Sequence, residues 1–310
     1  MDKILVIGSS NTDLIATVKN FPTAGETIVG KSFLQVMGGK GANQAVAAHK
    51  LGGDVKFITC LGKDANGQNT LQYFRETGLD VSSALQVEGV PSGTAIILVD
   101  EKGENCIVIT PGANNKLSPD YIHHIENDIA ACDMLVLQME IPYETVKTVC
   151  ELAHSQHKKV MLNVAPARQL DAGLIQMIDI LVVNETEAET ISGEKITAIG
   201  EEAIIDKLLE LGAKTVVLTL GQQGCILKNG KELHSVPAFR VKALDSTAAG
   251  DTFCGALAAE LSRGHTWEEA LIFATAASAI CVTRMGAQPS IPTEKEVREF
   301  LNQNVEITAK

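Results

Sequence analysis

Short runs of apolar residues alternate along the chain with segments whose apolar residues recur at helical spacing. The runs are rich in Val, Ile and Leu, as buried strands are, and the segments between them have the period of amphipathic helices. The pattern predicts strands over 4–8, 55–60, 134–138, 160–164, 180–183 and 215–220. It predicts helices over 42–51, 65–77, 118–131, 142–157, 201–211, 250–263 and 267–283.

The predicted strands are apolar throughout instead of alternating between apolar and polar residues. Such strands are typical of a parallel sheet that is covered on both faces by the helices that connect its strands. We therefore predict an α/β fold, a three-layer αβα sandwich with a mostly parallel central sheet.

Two segments, residues 13–36 and 93–110, interrupt the alternation of strands and helices. Both look like pairs of strands without room for a crossover helix, and the second has a turn at Lys102 and Gly103. We expect them to form a small β-sheet lid, although edge strands of the main sheet would give the same pattern. The remaining residues, which would form the α/β core, are 1–12, 37–92 and 111–310.

Composition limits the class of protein. The chain has 310 residues, 45% hydrophobic and 21% charged, which is ordinary for a soluble protein with one large core. Its net charge of −12 argues against nucleic acid or an anionic membrane as a partner. Seven cysteines without a C-x-x-C pair indicate free thiols in a reducing compartment. Because the opening MDKILVIG lacks the features of a signal peptide, we expect a cytoplasmic protein.

Polar residues directly follow the predicted strands. Ligands of open parallel sheets bind beyond the carboxyl ends of the strands, so these residues are candidates for binding a polar small molecule. Each one alone is also a common loop or helix-capping residue. They are Asn11, Asp13, Glu140, Asn163, Asn184, Glu185, Glu187, Thr219 and Gly221.

The glycine-rich stretch MGGKGANQAVAAH covers residues 37–49. It is not a dinucleotide-binding fingerprint, because Gln44 stands where the third glycine would be, and it lacks the spacing of a P-loop. It offers a glycine turn that a ligand can approach, Lys40 as a cation, and Asn43 as a hydrogen-bond donor and acceptor. These features suit a polyhydroxyl ligand.

A second stretch, LDSTAAGDTF, begins a helix at residues 244–253. The backbone N–H groups of Ala248, Ala249 and Gly250 would form an anion site, which the helix dipole strengthens. Asp251 is placed as the general base of a phosphoryl transfer. The alternative is a helix cap formed by Ser246 or Thr247, and the alanine at 248 predicts ordinary, negative φ at this turn.

The stretches GGKGANQA and DSTAAGDTF, with NETEAE, TLGQQG and GAQPSIP, resemble the ribokinase family of carbohydrate kinases. The resemblance spans nearly the whole chain. It implies that Asp251 also contacts the substrate and deprotonates the primary hydroxyl of a sugar, which then attacks the γ-phosphate of ATP. The residues it implies for sugar binding are Asn11, Asp13, Gly38, Gly39, Lys40, Asn43 and Glu140.

The resemblance further implies a nucleotide site and two cations. ATP would contact Asn184, Thr219, Gly221, Gly224, Ala248, Ala249, Gly250 and Thr275. Glu187 matches the acid that organises Mg²⁺, which keeps much of its hydration shell. Potassium would be an activator beside the anion site. Its oxygen ligands would come from Asp245, Thr247, Cys281, Arg284, Gly286 and Ser290.

D-Ribose is the expected substrate, and its 5-hydroxyl is the expected site of phosphorylation. Ribose is preferred to a 2-deoxy sugar because the deoxy sugar would leave the polar side chain of Asn11 without a hydrogen-bond partner. Kinases for deoxyribose or adenosine are alternatives within the same class. A catalytically silent sugar or nucleotide sensor is the alternative from another class. Exposed lid edges would be covered by a second lid, so we also expect a homodimer.

Overall fold

An eight-stranded sheet forms the centre of the computed structural model, which describes residues 1–230 and 232–304. Its strand order is β14-β13-β12-β11-β10-β9-β1-β4. In chain order, the strands of the whole chain are β1 (Lys3–Ile7), β2 (Asn11–Thr17), β3 (Ser32–Gly38), β4 (Asp54–Ile58), β5 (Cys60–Gly62), β6 (Leu85–Val87), β7 (Gly93–Val99), β8 (Asn105–Thr110), β9 (Met134–Leu137), β10 (Lys159–Asn163), β11 (Ile180–Asn184), β12 (Thr215–Thr219), β13 (Cys225–Asn229) and β14 (Glu232–Val236).

Helices connect the strands and cover the sheet. They are α1 (Lys40–Lys50), α2 (Ala65–Glu76), α3 (Pro119–His124), α4 (Glu126–Ala131), α5 (Tyr143–Ser155), α6 (Ala172–Ile175), α7 (Glu185–Ser192), α8 (Ile196–Ile199), α9 (Glu201–Glu210), α10 (Ala249–Ser262), α11 (Trp267–Cys281) and α12 (Glu294–Gln303). Short 3-10 helices lie at Gly112–Lys116, Gly221–Gln223 and Gln288–Ser290. None of the helices in the described residues is long and apolar enough to cross a membrane.

Two apolar clusters lie on opposite faces of the sheet. Alternate residues of β1 divide between them: Ile4 and Val6 pack with α1, α10 and α11, whereas Leu5 and Ile7 pack with α5 and α9. Because side chains alternate across a strand, a strand between two helical layers must be apolar at every position. The three-layer αβα sandwich with a mostly parallel sheet is thereby confirmed.

The predicted strands of the main sheet agree with the structure to within a residue or two, with one exception. The run 55–60 divides at Thr59 into β4 and β5, and β5 pairs with β6 in a separate two-stranded sheet. The predicted helix 118–131 likewise divides at Ile125. The pattern did not predict β6 and β13, nor the helices α6, α7, α8 and α12, and it indicated β14 only as part of a β-rich segment, KELHSVPAFRVKAL, without bounds.

The two irregular segments form a sheet of their own. Its four strands lie in the order β3-β2-β7-β8, with β2 and β3 antiparallel, β7 and β8 antiparallel, and β2 parallel to β7. The small β-sheet lid is confirmed, and the alternative of edge strands in the main sheet is wrong. We call this four-stranded sheet the lid.

Candidate active site

A cavity of about 440 Å³ lies between the lid, the carboxyl ends of the main-sheet strands and the first turns of α1 and α10. Its size suits a small-molecule ligand. The strands β1, β9, β10, β11 and β12 all end toward it, as the strand-end argument predicts. The predicted site residues that line it are Asn11, Asp13, Gly39, Lys40, Asn43, Glu140, Asn163, Asn184, Glu187, Thr219, Thr247, Ala248, Ala249, Gly250 and Asp251.

Asn11 and Glu140 are held at the lid side of the cavity by hydrogen bonds from the core. Asn11 Oδ1 accepts a hydrogen bond from Asn114 Nδ2 at 2.8 Å. Glu140 Oε2 accepts from Ser9 Oγ at 2.6 Å and from the backbone N–H of Lys40 at 3.0 Å. Glu140 therefore lies at the amino-terminal end of α1, where the helix dipole favours a negative charge.

Burial raises the pKa of the Asp13 carboxyl to about 7, with further contributions from the negative charges of Glu140 and Asp251. Lys40 lies among the same acids. The negative charge of Asp251 is the largest influence on the pKa of Lys40 and raises it, although burial acts in the opposite direction. The cavity thus holds one ammonium group among several carboxylates, one of which titrates near neutral pH.

Gly38 makes room for the Asp13 side chain. A Cβ atom at Gly38 would lie 2.0 Å from Asp13 Oδ2, so even alanine at this position would displace the carboxylate. Gly38 pairs with Asn11 across β2 and β3. Its contribution to the site is therefore the close approach that its missing side chain allows.

The Asp251 carboxylate receives a hydrogen bond on each oxygen. Asn43 Nδ2 donates to Oδ2 at 2.9 Å, and Gln44 Nε2 donates to Oδ1 at 3.0 Å. The carboxylate is only 7% exposed and borders the cavity. Asn43 Oδ1 is buried beside the cavity and has no hydrogen-bond partner among the described residues. An acceptor of this kind suits a ligand hydroxyl, because an unpaired buried polar atom is costly.

The turn before α10 differs from the prediction. Ala248 is the N-cap residue and has φ 60° and ψ 11°, in the left-handed region, so the prediction of ordinary backbone angles is wrong. No side chain caps the helix, and the alternative of a Ser246 or Thr247 cap is also wrong. Thr247 Oγ1 donates to Asp245 Oδ1 instead, at 2.6 Å.

One of the three N–H groups predicted for the anion site at the start of α10 has a partner within the turn. The N–H of Ala249 donates to the Ser246 carbonyl oxygen at 3.2 Å, within the turn. The N–H groups in the first turn of a helix have no partner within the helix, which leaves those of Gly250 and Asp251 directed out of the helix start. Together with the helix dipole, they form the positive end of α10.

The left-handed alanine gives a first testable prediction. A residue with a Cβ in the left-handed conformation destabilises the folded state by about 1–2 kcal/mol, and glycine avoids this cost. Glycine instead loses more backbone entropy on folding, which costs about 0.5–1 kcal/mol. Ala248→Gly is therefore expected to raise the free energy of unfolding by up to about 1 kcal/mol, measured by urea denaturation. Ala249→Gly, within the first turn of α10, is the control and should lower it. A destabilised Ala248→Gly variant would contradict the argument.

Glu187 lies at the start of α7, where it forms a capping box with Asn184. The N–H of Asn184 donates to Glu187 Oε2 at 2.8 Å, and the N–H of Glu187 donates to Asn184 Oδ1 at 2.9 Å. Burial raises the pKa of the Glu187 carboxyl, opposed by the hydrogen bond from Asn184 and the charge of Lys40. Glu187 is therefore a fixed acid at the cavity wall.

The cavity does not have a complete protein ligand set for a metal. Among the described residues there is no group of three or more His, Cys, Asp or Glu side chains that could hold an ion. Mg²⁺ commonly needs only one or two carboxylates, completed by water and substrate phosphates. The Glu187 carboxyl, whose pKa is raised by burial and by the negative charge of Asp251, fits such an open site at the cavity wall.

The predicted potassium ligands come from two loops that contact each other. Asp245 Oδ2 accepts from the N–H of Gly286 at 2.8 Å, and Cys281 Sγ lies 3.7 Å from the Thr247 carbonyl oxygen. Cys281 Sγ also lies 3.0 Å from Ser290 Oγ. The guanidinium of Arg284 pairs with Glu296 instead, at 2.6 Å, so only its carbonyl oxygen could contribute. A carboxylate with carbonyl and hydroxyl oxygens suits a hard cation.

Three predicted nucleotide contacts do not line the cavity in the described part of the chain. Gly221 lies two residues beyond the cavity residue Thr219, in a 3-10 turn. Gly224 ends that turn with φ 105° and adjoins Cys225, whose Sγ lies 3.7 Å from Thr275 Oγ1. These residues form a neighbouring group, and their contact with ATP stays a prediction.

Residues 1–294 match the family described as pfkB family carbohydrate kinase. The chain belongs to this family. Among curated proteins, a ribokinase of Haemophilus influenzae is 39% identical over 302 residues, which are 96% of this chain and 98% of that protein.

Two solved structures described as ribokinases agree with this assignment. The crystal structure of a ribokinase from Thermotoga maritima has a TM-score of 0.89 and 40% identity, covering 97% of this chain and 100% of its own. A ribokinase of Arabidopsis thaliana, complexed with ribose and ATP, has a TM-score of 0.89 and 32% identity, covering 97% and 98% of the two chains. The fold predicted from the resemblance is therefore that of known kinases.

Several cavity and supporting residues of this pfkB family kinase were not predicted. From the lid, the cavity receives Ala95, Ile97, Asn105, Ile107 and Ile109. The alternation of strand side chains could have found them, because every second residue of β7 and β8 faces the same side. The polar residues Ser9, Gln44 and Asn114, which support the site from behind, have no local sequence pattern.

Proposed function

We propose that this pfkB family kinase transfers the γ-phosphoryl group of ATP to the 5-hydroxyl of D-ribose, giving D-ribose 5-phosphate and ADP. The observation that carries the proposal is the Asp251 carboxylate, buried at the start of α10, held by two amide donors and facing a polar cavity. The relatives named ribokinase, and the Arabidopsis thaliana structure with ribose and ATP, support ribose and ATP as the substrates.

Sugar hydroxyls would bind in the half of the cavity beneath the lid. Asp13 and Glu140 offer carboxylate acceptors, and Asn43 offers the unpaired Oδ1 described above. Asn11 presents its side-chain amide beside them. A site that hydrogen-bonds each hydroxyl discriminates against a sugar that lacks one, because its own polar groups are then left unpaired. Such a site favours ribose over 2-deoxyribose.

Asp251 is the proposed general base. Its carboxylate would accept the proton of the 5-hydroxyl as the oxygen attacks the γ-phosphorus, and ADP would leave on the opposite side. The positive end of α10 would stabilise negative charge on the phosphoryl oxygens. Lys40, which its acidic neighbours keep protonated, would add a second positive group at the same place.

Two cations complete the proposal. When bound with ATP, Mg²⁺ neutralises phosphate charge, and Glu187 would hold it at the cavity wall through water. A potassium ion held by Asp245 and the carbonyl oxygens of its loop would fix the turn at Thr247 and Ala248 that begins α10. Asp245 already organises this turn, since its Oδ1 accepts from both the N–H and the hydroxyl of Thr247.

The test is ATP consumption with ribose, 2-deoxyribose, adenosine and fructose, each with K⁺ or with a non-coordinating organic cation at equal ionic strength. Ribose is expected to give the highest kcat/KM, and K⁺ is expected to raise turnover. A higher kcat/KM for 2-deoxyribose or adenosine would replace ribose as the substrate. Tight binding of ribose without ATP consumption would indicate a sensor and would contradict the kinase proposal.

The raised pKa of Asp13 predicts the pH dependence of this reaction. The ionised carboxylate accepts hydrogen bonds from ribose, so kcat/KM for ribose should fall as the pH drops below about 7, the pKa of Asp13. In Asp13→Asn, kcat/KM should be lower at pH 8, and this acid limb should be absent. Initial rates from pH 5.5 to pH 9 measure both effects. An unchanged acid limb in Asp13→Asn would contradict the assignment.

The lid is proposed to close over the bound sugar and exclude water. Its face away from the cavity exposes Phe33, Ile96 and Val108, which suits pairing with the lid of a second copy. We propose a homodimer, which light scattering can distinguish from a monomer.

A reducing compartment such as the cytoplasm agrees with seven cysteines that form no disulfide.

A further inference from the structure

The two donors to Asp251 come from adjacent residues of α1 but face different surroundings. Asn43 lines the cavity and keeps its Oδ1 available to a ligand. Gln44 is 0% exposed and does not line the cavity in the described chain. Its contact with the reacting groups is therefore through Asp251 alone, by the 3.0 Å hydrogen bond from Nε2 to Oδ1.

Gln44 belongs to a chain of buried side-chain amides. Gln138 Nε2 donates to Gln44 Oε1 at 2.8 Å. Gln44 Nε2 donates to Asn163 Oδ1 at 3.1 Å as well as to Asp251. Asn163 Nδ2 donates to the Val182 carbonyl oxygen at 3.1 Å. Gln138 is 1% exposed and Asn163 is 8% exposed. This series of hydrogen-bonded amides connects α1 and α10 to the ends of β9 and β10.

The direction of every amide in this chain is fixed by groups that can only accept. The Val182 carbonyl requires the amino group of Asn163, which turns Asn163 Oδ1 toward Gln44. The Asp251 carboxylate and Asn163 Oδ1 together occupy both hydrogens of Gln44 Nε2. Gln138 then donates to the remaining Gln44 Oε1. The network has a single consistent arrangement, in which Gln44 always presents a donor to Asp251.

A carboxylate needs such a donor to keep one orientation. The last torsion of an aspartate side chain is broad, so its rotamer alone does not fix the plane of the two oxygens. Hydrogen bonds to both Oδ1 and Oδ2 fix that plane, and they direct the remaining lone pairs toward the cavity. A buried amide costs free energy unless its polar atoms are hydrogen-bonded. An apolar side chain could fill the same space at position 44 without that cost. The hydrogen bond to Asp251 gives the glutamine a reason to be there.

We propose that Gln44 is a positioning residue for phosphoryl transfer, which holds the Asp251 carboxylate in its reactive orientation, and that Gln138 supports Gln44 by donating to its Oε1. The inference rests on the proposed function, in which Asp251 is the general base. Neither glutamine touches the substrate. Their removal should therefore change the rate of the chemical step and leave ribose binding almost unchanged.

The test uses Gln44→Met, which keeps the length of the side chain and removes its donors. We expect kcat to fall about 10- to 100-fold, because small misplacement of a reacting group costs up to this factor, while the Kd of ribose from calorimetry stays within about threefold. Gln138→Met should lower kcat in the same direction but less. Thr145→Val, in α5, is the control: it removes a buried hydrogen bond to the Leu117 carbonyl, on the opposite face of the main sheet from α10, and should leave kcat unchanged.

A double-mutant cycle separates positioning from a general loss of structure. In an Asp251→Asn background, Gln44→Met should have almost no further effect on the single-turnover rate, because the group it positions is gone. Equal losses in both backgrounds, or a Gln44→Met kcat within twofold of wild type, would overturn the inference. If Gln44→Met does not fold, Gln138→Met carries the test, and an unchanged kcat overturns the inference. Wild-type protein that consumes no ATP with ribose would instead defeat the proposed function.

Discussion

Asp251→Asn is expected to lower kcat for ribose phosphorylation by about 1000-fold, since general-base catalysis contributes roughly 10²–10⁴ to such rates. Asparagine has nearly the same shape as aspartate but cannot accept the proton of the 5-hydroxyl. The Asp251 side chain is buried between two amide donors, so the loss comes from chemistry at a defined position. Coupled detection of ADP, with ribose and ATP both saturating, measures the change.

The control for this variant is an acid on another helix. Asp206→Asn changes an α9 carboxylate that pairs with Lys228 at 2.6 Å on the protein surface, and kcat should stay the same. Ribose affinity of Asp251→Asn, measured by calorimetry, should change far less than kcat. If Asp251→Asn turned over ribose at the wild-type rate, Asp251 would not be the base.

Gly255→Val is expected to lower the free energy of unfolding by about 3 kcal/mol or more, because overpacking at a close helix contact forces the backbones apart. A Cβ at Gly255 would lie 2.5 Å from Ala47 Cβ and 2.7 Å from the Ala48 nitrogen. It would also lie 2.7 Å from the carbonyl oxygen of Gln44. The position therefore fixes how closely α10 approaches α1, and urea denaturation followed by circular dichroism measures the loss.

The consequence for the site follows from the same contact. Helix α1 contributes both donors to Asp251, and α10 contributes Asp251 itself, so separating the helices should also lower kcat of any folded fraction. Gly173→Val in α6 is the matched control, because no heavy atom lies within 4 Å of a Cβ at that position. Its free energy of unfolding should stay within about 1 kcal/mol of wild type. Equal stability of the two variants would contradict the role given to Gly255.

The main sheet could be predicted because its strands are buried on both faces. Residues such as Ile4 and Leu5 belong to opposite apolar clusters, and this leaves an uninterrupted apolar run in the sequence. The antiparallel extension of the main sheet was missed: β13 was not predicted, and β14, recognised only within a β-rich segment, is largely exposed at the sheet edge and mixes polar with apolar residues. Helix α7 was missed as a helix, although its Asn184 and Glu187 form a capping box that is visible in the sequence.

The turn at Ala248 could not be predicted from local preferences. Because alanine avoids the left-handed region, its conformational preference predicted a negative φ at residue 248. The surrounding hydrogen bonds determine the conformation: Asp245 binds both the Thr247 N–H and the Gly286 N–H, and the Ala249 N–H binds the Ser246 carbonyl. These contacts connect residues up to 41 positions apart, so no short window contains them.

The residues that line the cavity could be predicted from the sequence more fully than the hydrogen-bond network that supports Asp251. Asn11, Glu140 and Asn184 each follow a strand, and the parallel topology then brings them to one edge. Gln44 and Gln138 are 94 residues apart and would each be assigned to the core or the surface on their own. Only the structure shows that they support Asp251.

The most direct test of the central claim is identification of the product by ³¹P NMR after the protein is incubated with ATP, Mg²⁺, K⁺ and D-ribose. The account predicts one new phosphate monoester, coupled to the C5 protons of ribose, in a one-to-one ratio with ADP. Phosphate on another hydroxyl, or ADP formed with inorganic phosphate and no sugar ester, would contradict it.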